Sequence, residues 1–427
     1  MILIRSARGH VWGRRAKAVL ALVGVVGVTG CGTTEAVGNR IAGDRLTIYS
    51  SVPLHGDSSI SGVAVINGER MALARIGSRI GDYHVTFKVL DDSTGQSDEW
   101  NPGQTTANAR TAVQDKTSIG YVGDLNSGAS AISIPLLNRA GIAQVSPTST
   151  AIGLTSGGAA ASPGEPAKYY PTGTRTFARV VPNDSVQANA QVKLQRSAGC
   201  TKTYVLDDGE VDGLDAATSF FVAAQSAGLK VVATQMFEPR ATNYTSLAAG
   251  VAKSGANCVL ISAITDTNAV LVTKQIARAL PDARIFGTAG LAESTYTNPA
   301  QGGIPLALDP RVLITAATLG PDDYPPAGRT FLANYTRLYG RSQPSAIFGY
   351  EAMSLMLNAV ARATEGGTIT PRRSKVVAAI FATRDRHSVL GTYSIDRRGD
   401  TSLTRYGVYR VVGGRLAFWK AIDASAV

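Results

Sequence analysis

From Arg45 onward, short runs rich in β-branched residues alternate with longer stretches whose apolar positions recur at helical spacing. LTIYSSV precedes a helical segment from Gly62 to Ile76, and HVTFKVLDD precedes a helix through Ala107 to Gln114. SIGYVGD leads into a helix from Ala129 to Arg139, and GIAQVSP closes the series. Strict alternation of this kind predicts βαβ units, with a parallel sheet covered by helices on both faces. A Gly/Ser/Pro-rich stretch from Thr155 to Thr174 interrupts the pattern, which then restarts. TKTYVLDD, a helix from Leu214 to Ala227, KVVATQMFE, a helix near Leu247, CVLISAI, a helix from Val270 to Ala279 and ARIFGT make a second set. The expected fold class is α/β, with two lobes of similar topology. VLITAATL, helices over Phe331 to Tyr339 and Tyr350 to Ala363, a GTYSIDRRGD turn region and YGVYRVV follow. Asp396 and Gly399 have turn chemistry. Pattern alone does not assign the last strands to either lobe.

The segment before Arg45 reads differently. Arg5, Arg8, Arg14, Arg15 and Lys17 precede an apolar run from Ala18 to Val28, too short for a spanning helix of roughly 20 residues. Residues 1–30 are therefore expected to be a secretory signal peptide. The run ends at Val28-Thr29-Gly30-Cys31, a lipobox in which the Cys31 thiol takes a diacylglycerol; the alternative is an uncleaved anchor with an incidental cysteine. Either reading places the body outside the cytoplasm. Residues 31–44, rich in Gly, Thr and Asn, read as a lipidated cysteine and tether.

Removing the leader changes the charge picture. The formal net charge is +11, and the five cations of the leader leave +6 for the rest. The remaining Lys and Arg form no run or aromatic-interleaved patch, so nucleic acid is not an expected partner. About 390 residues remain, enough for two domains. Export permits a disulfide between Cys200 and Cys258, each near the start of a strand-like run; two free thiols are the alternative.

In open parallel sheets, ligands sit beyond the carboxyl ends of the strands. Two loops there are crowded with hydroxyls: Asp124 to Ser130 after GYVG, and Ser146 to Thr150 after IAQV. They suit a ligand carboxylate, although Ser127 and Thr150 serve equally as helix caps. VLDDGEVDG is the most acidic stretch and ends a strand of the second lobe, either facing a ligand ammonium or forming an ordinary acidic helix start. Asp91-Asp92 is expected to be a solvated strand end, with a cation site as the alternative. His55, His84 and His387 lie far apart with no metal-ligand spacing, and no GxSxG elbow, Walker loop or leading GxGxxG occurs. No metal, cofactor or enzymatic activity is expected.

The chain resembles the leucine/isoleucine/valine-binding proteins of ABC importers, which have the type I periplasmic binding fold. The resemblance covers roughly Arg45 to Trp419. Its markers are IYSSVPLHG with Gly62 and Asn67-Gly68, VLDD, YVGDLNSGASAISIPLLNRAGI, VSPTST, FARVVPNDSVQA and GYEAM. The GEPAKYYPTGTRTFARVVPND insert resembles the actinobacterial branch. The resemblance implies lobe 1 over residues 45–178 and 317–386, and lobe 2 over 179–316 and 387–420. Three hinge crossovers are placed near Phe177 to Asp184, Thr315 to Leu319 and His387 to Gly391. It also implies that Ser127, Thr148, Ser149 and Thr150 grip a ligand carboxylate.

Departures from the family pattern bear on the ligand. Ala289 stands where the family has the glutamate that pairs with the ligand ammonium, so Glu293 or Glu210 is expected to substitute. Ser61, Glu210 or Val211, and Ile264 replace aromatic residues of the family's pocket wall. Tyr350 of GYEAM is retained, either in the pocket or in the core. The leading expectation is a lipid-anchored binding protein on the outer face of the cell membrane that delivers an amino acid or related carboxylate-bearing solute to an ABC permease. The alternative is a ligand-sensing receptor of the same fold without transport.

Overall fold

The computed structural model describes residues 39–425 apart from 57 and 96; the leader, Cys31 and most of the tether lie outside the described residues. The first sheet is built from β1 (Arg45–Val52), β2 (Arg79–Ile80) and β3 (Tyr83–Asp91). A separate short hairpin, β4 (Ser93–Thr94) and β5 (Ser97–Trp100), follows, and β6 (Ser118–Gly123), β7 (Ala143–Ser146) and β8 (Phe177–Arg179) complete the sheet. Its order is β2-β3-β1-β6-β7-β8, parallel throughout except for the edge strand β2. Apart from Arg45, β1 is buried along its length, as is all of β6, which is why both read as unbroken small and apolar runs.

The second sheet contains β9 (Lys202–Asp207), β10 (Lys230–Met236), β11 (Cys258–Ser262), β12 (Arg284–Gly287) and β13 (Val312–Ala316). After a small hairpin, β14 (Arg386–His387) with β15 (Thr392–Tyr393), the strands β16 (Arg405–Val412) and β17 (Arg415–Asp423) join it. The order is β10-β9-β11-β12-β13-β16-β17, with β16 and β17 antiparallel. The final strands thus belong to the second lobe. β9 and β11 are parallel neighbours, with Cys258 opposite Thr203, and Cys200 and Cys258 form a disulfide across Cα atoms 5.7 Å apart.

Helices α1 (Ser59–Arg75), α2 (Pro102–Gln114) and α3 (Ser127–Arg139) cover the first sheet, while α4 (Asp184–Ser197), α5 (Val211–Ser226), α6 (Thr245–Lys253) and α7 (Ala269–Ala279) cover the second. A single turn, α8 (Ser294–Thr297), precedes the return of the chain to the first lobe as α9 (Pro326–Tyr339), α10 (Ala346–Ala363) and α11 (Arg373–Phe381). α10 is apolar around most of its circumference because it lies between α1, α11 and the sheet. Glycines let α1 and α10 approach: a Cβ on Gly68 would meet the Ala346 carbonyl at 2.2 Å, and one on Gly349 the Val65 carbonyl at 2.4 Å.

The chain leaves the first sheet after Arg179 for α4 and leaves the second after Ala316 for α9. The last crossing falls later than His387 to Gly391. Residues 386–404 stay with the first lobe, and the chain enters the second sheet at Arg405. The cause is Glu351 on α10, a buried carboxylate that accepts hydrogen bonds from Arg386 at 2.6 Å and the Tyr393 hydroxyl at 2.8 Å and so holds the hairpin against α10.

Candidate functional site

The carboxyl ends of both sheets face one cleft between the lobes, partly open to solvent, with a cavity volume of about 110 Å³. From the first lobe come Ser58 and Ser61 at the start of α1, Leu125 and Asn126 after β6, Thr148 and Thr150 after β7, and Ser345 and Phe348 at the start of α10. From the second come Asp212 on the first turn of α5, Ile264 after β11, the Ala289 to Glu293 turn after β12, and Tyr406 on β16. The described residues that line the cleft include two carboxylates, Asp212 and Glu293, and no Lys, Arg or His.

Carboxylates of the second lobe meet donors of the first across this cleft. Asp212 Oδ1 accepts from the Thr150 hydroxyl at 2.8 Å and from the Ser127 hydroxyl at 3.1 Å. Ser127 Oγ in turn accepts from the backbone N–H groups of Thr150 and Ala151. Glu293 Oε1 accepts from Ser61 at 2.7 Å, Asp266 accepts from Ser58, and Asp215 accepts from the Ile152 N–H at 2.7 Å. The capping expectation for Ser127 and Thr150 is corrected here: Asn126 is the N-cap of α3, and both hydroxyls donate to the opposite lobe.

Burial pushes the Asp212 carboxyl upward against the pull of its two hydroxyl donors. It pushes Asp215 up to about 7, and with Asp212 and Asp215 alongside it pushes Asp184 well above the usual carboxylate range. The remaining cleft hydroxyls are also committed. Thr148 donates to the Leu125 carbonyl at 2.6 Å and Thr318 to that of Pro344 at 2.7 Å. Ser345 donates to the Ser61 carbonyl at 3.0 Å and Tyr406 to Gln187 at 3.1 Å.

Of the residues singled out from sequence, Ser61, Thr148, Thr150 and Glu293 line the cleft, with Ser127 adjacent through Asp212. The turn Ala289–Leu291 brings Glu293 back to the same cleft that Ala289 lines. Ser149 lies beneath the loop, bonded to Ser130 and the Asp124 carbonyl. Glu210 is the N-cap of α5 and is not part of the cleft lining. Tyr350 packs in the first lobe's core, its ring 4.9 Å from that of Phe331, and not in the cleft wall. Asp92 is fully buried beside Ser51 instead of solvated, and burial next to Asp124 and Asp91 raises its pKa. Asp208 is a buried brace that accepts from the Ile264 N–H and from Thr267, and burial pushes it up to about 7.

Two residues of the site's architecture were not legible. Asp212 was one acid among several in VLDDGEVDG, and only the start of α5 selects it. Arg179, the largest fully buried side chain, donates to Asp400 at 2.7 Å and to the carbonyls of Ser149 and Ala151, thereby tying the donor loop to the segment that leads into β16.

Two α/β lobes joined by crossing segments, with polar groups converging on the cleft between them, define a binding clamp. The chain belongs to the periplasmic binding protein family, whose model matches residues 46–415, and it is a non-enzymatic, extracytoplasmic solute-binding protein. Similar solved structures include a leucine-binding protein from Thermotoga maritima, 18% identical with a TM-score of 0.73, covering 88% of this chain and 99% of that one. A branched-chain amino acid substrate-binding protein from Streptococcus pneumoniae, in complex with isoleucine, is 16% identical with a TM-score of 0.71, covering 89% and 99%. A solute-binding protein from Rhodopseudomonas palustris, in complex with 4-hydroxybenzoate, is 18% identical with a TM-score of 0.71, covering 89% and 96%. No curated protein matches the sequence.

Proposed function

We propose that this chain is a lipid-anchored receptor, tethered through Cys31, that captures a small ammonium-bearing solute, an amino acid or a related amine, in the interlobe cleft and delivers it to an ABC permease. The observation that carries this reading is the charge of the cleft: Asp212 and Glu293 line it, with no cationic side chain among the described lining residues. A protonated amine neutralises such a site, whereas an anionic solute meets like charge. Glu293 takes the part that the resemblance assigned to the position of Ala289. Solved structures of the same fold that hold isoleucine and 4-hydroxybenzoate allow either class of ligand, so the discrimination rests on this chain's own side chains.

A thermal-shift screen of the purified protein against amino acids, amines, sugars and carboxylic acids tests it. A solute at a hundred times its Kd stabilises by about 2.7 kcal/mol. An ammonium-bearing solute should do so in the wild type and fail in Ala289→Trp, which fills the cleft. A response only to sugars or acids, or one that survives Ala289→Trp, would refute the reading.

A further inference from the structure

On the premise that the cleft is the binding site, its own donors and acceptors narrow the class of ligand. Every hydroxyl among the described lining residues already gives its proton to a protein acceptor. Thr150 donates to Asp212 and Ser61 to Glu293, Ser58 donates to Asp266, and Thr148, Thr318, Ser345 and Tyr406 donate to carbonyl oxygens. The side chains left to meet a ligand include the carboxylate of Asp212 and the amide of Asn126, whose buried oxygen accepts no hydrogen bond.

We propose that the cleft takes an organic cation without a carboxylate, an amine or ammonium on a compact apolar body, and that Asp212 is the residue that turns carboxylate ligands away. A ligand carboxylate would need donors, and the two hydroxyls best placed to supply them, Ser127 and Thr150, converge on one oxygen of Asp212. Seated there, it would set negative charge against Asp212 and Glu293 with no compensating cation in the described lining. An ammonium has three donors and no acceptor, which matches what the cleft presents. Leu125, Val181, Ile264 and Phe348 supply the apolar contact for the body of the ligand. Asp212 thus stands in the protein where an amino acid would bring its own carboxylate.

The test is isothermal titration of the purified protein with 3-methylbutylamine, 1,4-diaminobutane and benzylamine beside leucine and 4-methylpentanoate. At least one of the amines should bind at least tenfold more tightly than leucine, with no heat from 4-methylpentanoate. Asp212→Asn, which keeps the shape and an oxygen acceptor for the two hydroxyls, should weaken the amine at least tenfold; Asp212→Ala should do the same. The proposal is overturned if none of the three amines binds, if leucine or 4-methylpentanoate binds more tightly than all of them, or if both Asp212 variants keep wild-type amine affinity. Ala289→Trp separates the two levels of failure. Carboxylate binding that this variant abolishes overturns the cation assignment and leaves the cleft as the site, whereas amine binding that survives it removes the cleft itself.

Discussion

The two rims of the cleft are built from opposite chemistry. The first lobe presents hydroxyls and backbone amides at the starts of α1 and α3 and in the loop after β7; the second presents carboxylates at the start of α5 and in the turns after β11 and β12. Each rim supplies what the other lacks, so closure makes hydrogen bonds that neither lobe makes alone. Closure and recognition therefore draw on the same side chains, and changing the ligand preference of this clamp also changes the balance between its open and closed forms.

The largest effect should come from breaking the support behind the donor rim. Arg179→Met leaves Asp400 without its guanidinium and the carbonyls of Ser149 and Ala151 without their donor. Removing one partner of a buried pair costs about 3–5 kcal/mol, to be read from denaturant unfolding. A loss under about 1 kcal/mol would mean that the loop holds itself.

A smaller effect is expected at the contact between the rims. Ser127→Ala combined with Thr150→Ala removes both hydroxyl donors to Asp212, and bonds to charged groups contribute about 1.5–3 kcal/mol each. The closed population should fall, and small-angle scattering should show a larger radius of gyration than for the wild type. An unchanged radius would mean that the Ser61 to Glu293 and Ser58 to Asp266 contacts suffice for closure.

The smallest effect is graded with pH. Asp208 and Asp215 keep their protons up to about pH 7 in the fold, whereas an unfolded aspartate loses its proton near 4. The folded state then binds more protons than the unfolded state between these values, so stability falls as pH rises from about 4 to 7. Thermal melts across that window should show a falling Tm, with a shallower slope in Asp215→Asn. A slope unaltered by the substitution would clear Asp215 of the effect.

Local pattern carried the architecture because it reports burial. Strands covered on both faces read as continuous apolar and small runs, helices show one apolar stripe, and strand-end loops collect Ser, Thr, Asn and Gly. The alternation of elements, the doubling of the lobe and the hydroxyl loops were legible in that way. The leader and the Cys31 lipobox are equally a matter of linear pattern, though they lie outside the described residues. The placement of Tyr350 was not legible, because an aromatic on a helix has the same spacing whether it faces a cleft or Phe331.

What the sequence determined by itself is thus the set of elements and the loops available for a site, since both follow from periodicity along the chain. Only the tertiary structure decided which groups oppose each other: that Asp212 and not Glu210 meets Thr150, that Glu293 returns to the cleft beside Ala289, and that residues 386–404 stay with α10 until Arg405. The physical reason is that a buried carboxylate must find its donors wherever the fold brings them, here 62 residues away in one case and 232 in another, and no local pattern encodes such a meeting.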